Sequence, residues 1–364
     1  PEDLWLYATK ILGYGTGSPQ LVNDRHVIPL LIGLGLSPTD AANYGMVGCT
    51  GPSAVGGKEL GWESGGGFVN LAKLLEAAIF SPKGTPASFD EFLMRYKDEI
   101  STFLSAFIEK INVIERYLPK IFPSPFQSML MQGCIETLSD MNSGCAPYNF
   151  THYPCAGIAT VANAHAVIKQ AVFKEKALTY PALQNLLRVD YLESEPLRKH
   201  FWNDFPKFGN GDDLVDSLAV EVAGHCMAEI GRYENGRRGR CRGGLASYTH
   251  NIALGKNTGA LPDGRHAGEP LSHGFAPSQG TDRQSPLAVI QSVAKVTREA
   301  QPTNVAFTFS LPPAFFAQDE LVKKVRHLLG VYFKEGGMQL QMTVTDIETL
   351  LAAKNEPEKN ANVM

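Results

Sequence analysis

The chain holds 364 residues, 44% of them hydrophobic and 19% charged, enough apolar material for a sizeable core and too little charge for wholesale disorder. Its 33 basic and 37 acidic residues leave a net charge of −4, which excludes the basic footprint of a nucleic-acid binder or of a protein held on an anionic membrane. The most apolar stretch, residues 27–36, is broken by Pro29, Gly33 and Gly35 and falls short of the roughly 18 residues that span a bilayer. The chain starts at Pro1 with no basic region or cleavage motif behind it, so an internal start and no secretory signal are expected.

Along the chain, segments of helical period alternate with short apolar runs and glycine-rich turns, predicting one α/β domain over residues 1–364 with parallel strands. Phe68, Leu71, Leu75 and Ala78 recur at three- and four-residue steps, which predicts an amphipathic helix over 68–80. Ser88 and Glu91 form a capping-box pattern opening a long helix that Pro119 should stop. Further helices are expected over 180–202 and 212–230, the second leading into an arginine-rich loop. From Gly236 to Gly280 the chain is dense in Gly, Pro, Ser, Thr and Asn, with a strand-like piece over 246–253. Tyr248, Ile252, Leu261 and Phe275 are scattered through that stretch, so it reads as an ordered loop system rather than a linker. Helix over 287–295, strand over 305–311 and helix over 318–334 complete the pattern.

Familiar chemical signatures are missing. Gly13-Tyr14-Gly15-Thr16-Gly17-Ser18 departs from G-x-G-x-x-G at residue 18, which argues against a nucleotide cradle. Arg232, Arg237, Arg238, Arg240 and Arg242 lack interleaved aromatics and read as a solvated or ion-paired loop. The nine histidines form no H-E-x-x-H pair, no G-x-S-x-G elbow occurs, and no bound metal is expected. Cys49, Cys134, Cys145, Cys155, Cys226 and Cys241 lie far apart without C-x-x-C spacing, which suits unlinked thiols in a reducing cytoplasm. Cys49 differs from the others in its setting, Gly45-Met46-Val47-Gly48-Cys49-Thr50-Gly51-Pro52, a glycine-flanked turn able to push one side chain into a cavity. On these residues alone a buried structural cysteine and a reactive one both remain open.

Many separate stretches resemble the glycyl radical enzymes related to pyruvate formate-lyase and glycerol dehydratase, nearly end to end. Early ones are Asn23-Asp24, Val27-Ile28-Pro29, Val47-Gly48-Cys49, Gly57-Lys58-Glu59 and Gly61-Trp62. Later ones include Tyr148-Asn149-Phe150-Thr151, Gly209-Asn210-Gly211-Asp212-Asp213, Pro262-Asp263-Gly264-Arg265, Ala267-Gly268-Glu269-Pro270-Leu271 and Gly336-Gly337-Met338-Gln339-Leu340-Gln341. The resemblance implies a ten-stranded α/β barrel of two five-stranded parallel halves, of which this chain carries the later portion with the cysteine loop. It further implies that Cys49 is the catalytic residue, its thiyl form taking a hydrogen atom from a small substrate. The cofactor implied is a glycyl radical, installed by an S-adenosylmethionine/iron–sulfur activating enzyme, in a protein that is a homodimer at full length. The family's R-V-x-G-Y segment with the storage glycine is absent from this chain.

Two departures bear on the reaction. Thr50 follows Cys49 where pyruvate formate-lyase has a second cysteine, so formate production is not expected. Gly51 replaces the glutamate of Gly-Cys-x-Glu that serves dehydratases and decarboxylases, and Glu63-Ser64 stand where a downstream aspartate is usual. Gly51, Glu63 and Ser64 are therefore the substrate-binding candidates, with Glu59 or Glu63 able to supply the lost acid. A radical lyase of dehydratase or decarboxylase type comes first. Addition of a substrate to fumarate, which needs no general base, and an inactive relative are the alternatives.

Overall fold

A computed structural model describes residues 2–61 and 65–359. Helix α1 (Glu2–Leu12), the short strand β1 (Leu21–Val22), α2 (Asp24–Gly33) and α3 (Pro38–Ala42) lead into a hairpin of β2 (Tyr44–Val47) and β3 (Gly51–Ala54). Strands β4 (Glu59–Leu60) and β5 (Val69–Asn70) follow, then α4 (Leu71–Ile79) and the 33-residue α5 (Phe89–Ile121). Short helices α6 (Pro125–Ser128) and α7 (Cys134–Thr137) precede the long strand β6 (Tyr148–Ala156). After it come α8 (Ile158–Val167), a π-helical turn over Ile168–Lys174, α9 (Tyr180–Arg188), α10 (Glu195–Asn203) and α11 (Asp213–Ile230). Strand β7 (Arg240–Leu245), α12 (His250–Lys256), α13 (Pro286–Ala300), β8 (Thr308–Leu311), α14 (Asp319–Lys334), β9 (Gln339–Val344) and α15 (Ile347–Asn355) complete the order.

The strands assemble around β6. It runs parallel to β4 and β5 on one side and to β7 on the other, with His152 opposite Arg242 in the last pairing. Leu245, at the end of β7, bridges in parallel to Val305, with Leu245 N–H donating to the Asn304 carbonyl at 2.8 Å and Ala306 N–H to the Leu245 carbonyl at 3.0 Å. The chain from there enters β8, which is parallel to β9, while β1 lies antiparallel on the outer edge of β9. The result is five parallel positions linked by helical crossovers, the half-barrel that the resemblance implies. Among the described residues the sheet does not close on itself. Strand β6 is buried on both faces from Phe150 onward, as expected where helices and further chain cover both sides of a parallel sheet.

Local signals explain most helices. The Ser88 hydroxyl accepts from Glu91 N–H at 3.1 Å, the cap half of the box, and the Glu91 carboxylate reaches back one residue beyond the cap to accept from Ala87 N–H at 2.7 Å. Phe92, Tyr96, Ile100, Leu104 and Ile108 then form one buried stripe along α5. Pro119 does not stop this helix, which continues to Ile121; near a helix end the lost N–H bond costs only the final turn. The helix expected over 68–80 begins at Leu71, because Val69 and Asn70 pair with β6 and the Asn70 side chain caps from Lys73 N–H. The single helix expected over 180–202 is two, parted by a turn in which Asp190, Tyr191 and Glu193 take positive φ.

The strand expected over 246–253 is a turn and helix α12; the strand lies earlier, at 240–245. Asn251 and Gly255 face inward while Ile252 is exposed, so the apparent two-residue alternation did not mark the buried face. The loop system beyond is ordered, as expected: Leu261 and Phe275 are fully buried. Buried Arg265 ties it together, donating to the carbonyls of Gly259 at 2.7 Å, Gly255 at 2.8 Å and Glu269. The cysteines also differ from expectation. The turn after α7 brings the Cα atoms of Cys134 and Cys145 to 5.5 Å and their sulfurs form a disulfide, beside Leu60, Met141 and Ala146. Among the described residues, no helix is long and apolar enough to cross a membrane.

Candidate active site

The antiparallel register of the hairpin pairs Val47 with Gly51 and leaves Gly48, Cys49 and Thr50 as its three-residue tip. Gly48 sits at φ +61°, a left-handed conformation that glycine adopts without steric cost and that tight hairpin turns require. Cys49 stands exposed at the crest, whereas Thr50 beside it is 2% exposed. The tip is held from both sides. The Gln20 side-chain amide donates to the Cys49 carbonyl, and the Thr50 hydroxyl donates to Asn304 Oδ1 at 3.1 Å, with Tyr248 Oη 3.4 Å away.

Those partners come from the carboxyl end of β7 and the segment bridged to it. Asn304 directly precedes the Val305 bridge, and Tyr248 lies three residues past β7 with φ +47°. The Tyr248 ring packs edge-on to Phe68 at 6.0 Å, and Phe68 stacks on His250 at 4.2 Å. The cysteine crest thus rests over strand ends, beside an aromatic wall built from the start of β5 and of α12. Ligands of parallel α/β sheets commonly bind at the carboxyl ends of strands.

Beneath the hairpin lies a buried polar group. Glu59 starts β4 and accepts from Ala54 N–H at 2.8 Å, so its carboxylate anchors the base of β3. It pairs with Arg242 of β7 at 2.9 Å, with both side chains almost fully buried. Arg242 also lies over the Phe150 ring at 4.9 Å and donates to the Gly61 carbonyl at 3.3 Å. His152, its register partner on β6, is 1% exposed. Burial and, secondarily, the positive charge of Arg242 hold its imidazole well below the usual histidine range, so it is neutral.

The sequence candidates are placed as follows. Cys49 is at the exposed crest, and Gly51 is buried in β3, two residues on. Glu63 and Ser64 lie outside the described residues. Glu59 is committed to Arg242 and the hairpin base rather than to the crest. The arginine cluster is largely ion-paired, as expected, through Arg232 with Glu229, Arg237 with Glu115 and Arg242 with Glu59. Sequence reasoning missed Gln20, His152, Tyr248 and Asn304, which come from four remote segments with no motif of their own. The one available hint was the alternation of Arg240 and Arg242 across Cys241, a two-residue period that sets both arginines on one strand face and the cysteine on the other.

Residues 1–255 match the family described as pyruvate formate lyase-like, and residues 271–364 the one described as glycine radical. Among curated proteins, the chain is 32% identical to a probable dehydratase, YbiW, of Escherichia coli K12, covering 96% of this chain and 46% of that protein. It is 27% identical to trans-4-hydroxy-L-proline dehydratase of Clostridioides difficile, covering 98% and 47%. Among solved structures, the glycerol-bound B12-independent glycerol dehydratase of Clostridium butyricum superposes with a TM-score of 0.92 at 33% identity, over 99% of this chain and 47% of that one. The chain therefore spans about half the length of the relatives it matches.

Proposed function

Because the chain belongs to the pyruvate formate lyase-like family of glycyl radical enzymes, we propose that it is the cysteine-bearing portion of a radical lyase of the dehydratase kind, a single domain with Cys49 as its hydrogen-atom carrier. The observation that carries this reading is the placement of Cys49, exposed at a hairpin crest whose two sides are pinned by Gln20 and by Thr50 with Asn304. An accessible thiol on a fixed backbone suits hydrogen-atom exchange with the family's glycyl radical. That cofactor supplies the unpaired electron which ordinary side chains cannot generate.

For a vicinal diol the balance closes without a further reagent. Cys49 as thiyl takes a hydrogen atom from one carbon and becomes the thiol. The neighbouring hydroxyl departs as water, the proton coming from the remaining hydroxyl, and Cys49 returns its hydrogen atom to the product-related radical. The anchored tip keeps the sulfur in register for both transfers, where a misplacement of about 1 Å can cost 100-fold in rate. The relatives named as dehydratases, and others named isethionate sulfite-lyase, support elimination over addition to fumarate. The reading includes an activating S-adenosylmethionine enzyme, a homodimeric complete protein and a cytoplasmic, anaerobic setting.

Activation of the complete protein by its cognate activating enzyme should give a glycyl electron-paramagnetic-resonance doublet, and turnover of a small substrate should follow. Cys49→Ser should keep the doublet and lose at least 1,000-fold in turnover. A wild-type protein without a doublet under competent activation, or a fully active Cys49→Ser protein, would overturn the proposal.

A further inference from the structure

Strand alternation divides the β6–β7 pair into two faces. Tyr153 meets Phe107 of α5, and a Cβ at Gly243 would meet Met227 and Ile230 of α11 at 2.8 and 3.0 Å. Those residues face the helices. Phe150, His152, Arg242 and Gly244 face the other way, as the contact of Arg242 with Phe150 and the close approach of Gly244 to His152 require.

On that second face, polar atoms are sealed from solvent with no hydrogen-bond partner among the described residues. They are both ring nitrogens of His152, Nε and Nη1 of Arg242 and Oε1 of Glu59, which keeps only its ionic contact with Arg242. An unmet buried polar atom forfeits its hydration with nothing in return, and native proteins leave few of them. Five atoms on three adjoining side chains therefore call for a partner that is not part of the chain. The group lies next to the cysteine hairpin: Gly244 is hemmed by both His152 Nε2 and Asn304, at 2.5 and 2.9 Å from its would-be Cβ, and Asn304 holds Thr50.

Charge narrows the class of partner. Glu59 already neutralises Arg242, and His152 is neutral. The group has no net positive charge with which to repay desolvation of a carboxylate or sulfonate. It offers donors from Arg242, an acceptor from Glu59 and one of each from the neutral imidazole. Hydroxyl groups, which both donate and accept, match that set.

Building on the radical-lyase reading, we propose that His152, Arg242 and Glu59 form a hydroxyl-recognition site beside the cysteine hairpin that selects a neutral polyol over an anionic substrate. His152 is the selective member, because Arg242 and Glu59 are also tied to each other and to the backbone.

Two measurements test it. In the unactivated protein, ligand-observed NMR with glycerol and propane-1,2-diol as probes should show saturation transfer that His152→Ala abolishes and His152→Gln partly restores. In the activated protein, His152→Ala should raise KM for the diols at least tenfold with the glycyl doublet intact, while trans-4-hydroxy-L-proline and isethionate are poor substrates of the wild type. Wild-type protein that binds neither probe, diol KM values unmoved by His152→Ala, or turnover confined to hydroxyproline and isethionate would overturn the site. Should His152→Ala fail to fold, His152→Asn, a shorter polar side chain, takes its place. The binding assay needs no radical, so a missing doublet counts against the role of Cys49 and leaves the polyol site to be judged separately.

Discussion

The β6–β7 pair carries a buried arginine–glutamate couple on each face, and the two are finished differently. On the helix face, Arg237 pairs with Glu115 and also donates to Asn149 Oδ1, the Phe150 carbonyl and Thr151. Glu115 accepts from Thr151 and from Gly236 N–H. On the hairpin face, among the described residues, Arg242 pairs with Glu59 but leaves two nitrogens unmet, beside a histidine whose ring nitrogens have no hydrogen-bond partner. The chain can evidently complete a buried ionic network, because it does so one strand-width away. The saturated couple is a structural clasp tying α5 to the start of β6 and the turn before β7. The unsaturated one keeps polar atoms in reserve, which is the usual cost of a site that must bind something.

That contrast predicts opposite signs of stability change. The largest effect is expected on the helix face, where Glu115→Ala leaves Arg237 buried without its counter-ion. The loss should be about 3–5 kcal/mol, read by urea denaturation as a lower midpoint. A loss under about 1 kcal/mol would show that the clasp is not structural. On the hairpin face, His152→Met exchanges unmet nitrogens for an apolar chain of similar size and should stabilise by about 1–3 kcal/mol, while weakening diol binding. Destabilisation by that change would break the distinction between the faces.

The same histidine sets a pH signature. Its folded-state pKa is lowered, so the unfolded chain binds the proton first as pH falls. Stability from this group is thus complete above the ordinary histidine range and declines as pH drops below about 6.5. His165, which burial pulls down to about 4, contributes with the same sign. His152→Met should flatten part of the decline between roughly pH 6.5 and 5 and leave the share from His165. An unchanged slope would mean that His152 takes up its proton as readily in the fold as in the unfolded chain.

Much of the architecture was legible from residue pattern. The capping box at Ser88, the stripe of α5 and the ordering of the 257–285 loop all followed from short-range signals that tertiary contacts reinforce. Failures fell where long-range pairing overrode local pattern: Val69 and Asn70 were drawn into the sheet, and 246–253 turned away from it. The cysteine turn was legible because glycine at a tight bend has a backbone cause. The surroundings of that turn were not. Asn304 and His152 reach it through the parallel register of β6, β7 and the bridged segment, and register across some 60 to 90 residues leaves no mark in a sequence read alone. Glu59 misled for a related reason, since nearness in sequence to Cys49 suggested a role at the crest that its pairing with Arg242 assigns to the base.

The smallest stability effect should carry the sharpest test of the hairpin. Thr50→Val keeps the shape of a side chain that is almost fully buried and removes the hydroxyl that donates to Asn304. One neutral hydrogen bond is worth about 1 kcal/mol, so the unfolding midpoint should move little. Hydrogen-atom transfer is far less forgiving of position than folding is, and release of one of the two anchors beside Cys49 should slow turnover by about tenfold or more. Thr50→Ser, which restores the hydroxyl and omits the methyl, should recover most of the rate. If turnover instead tracked the small stability change in both variants, the bond from Thr50 to Asn304 would be an ordinary structural contact and would not set the position of Cys49 for the transfer.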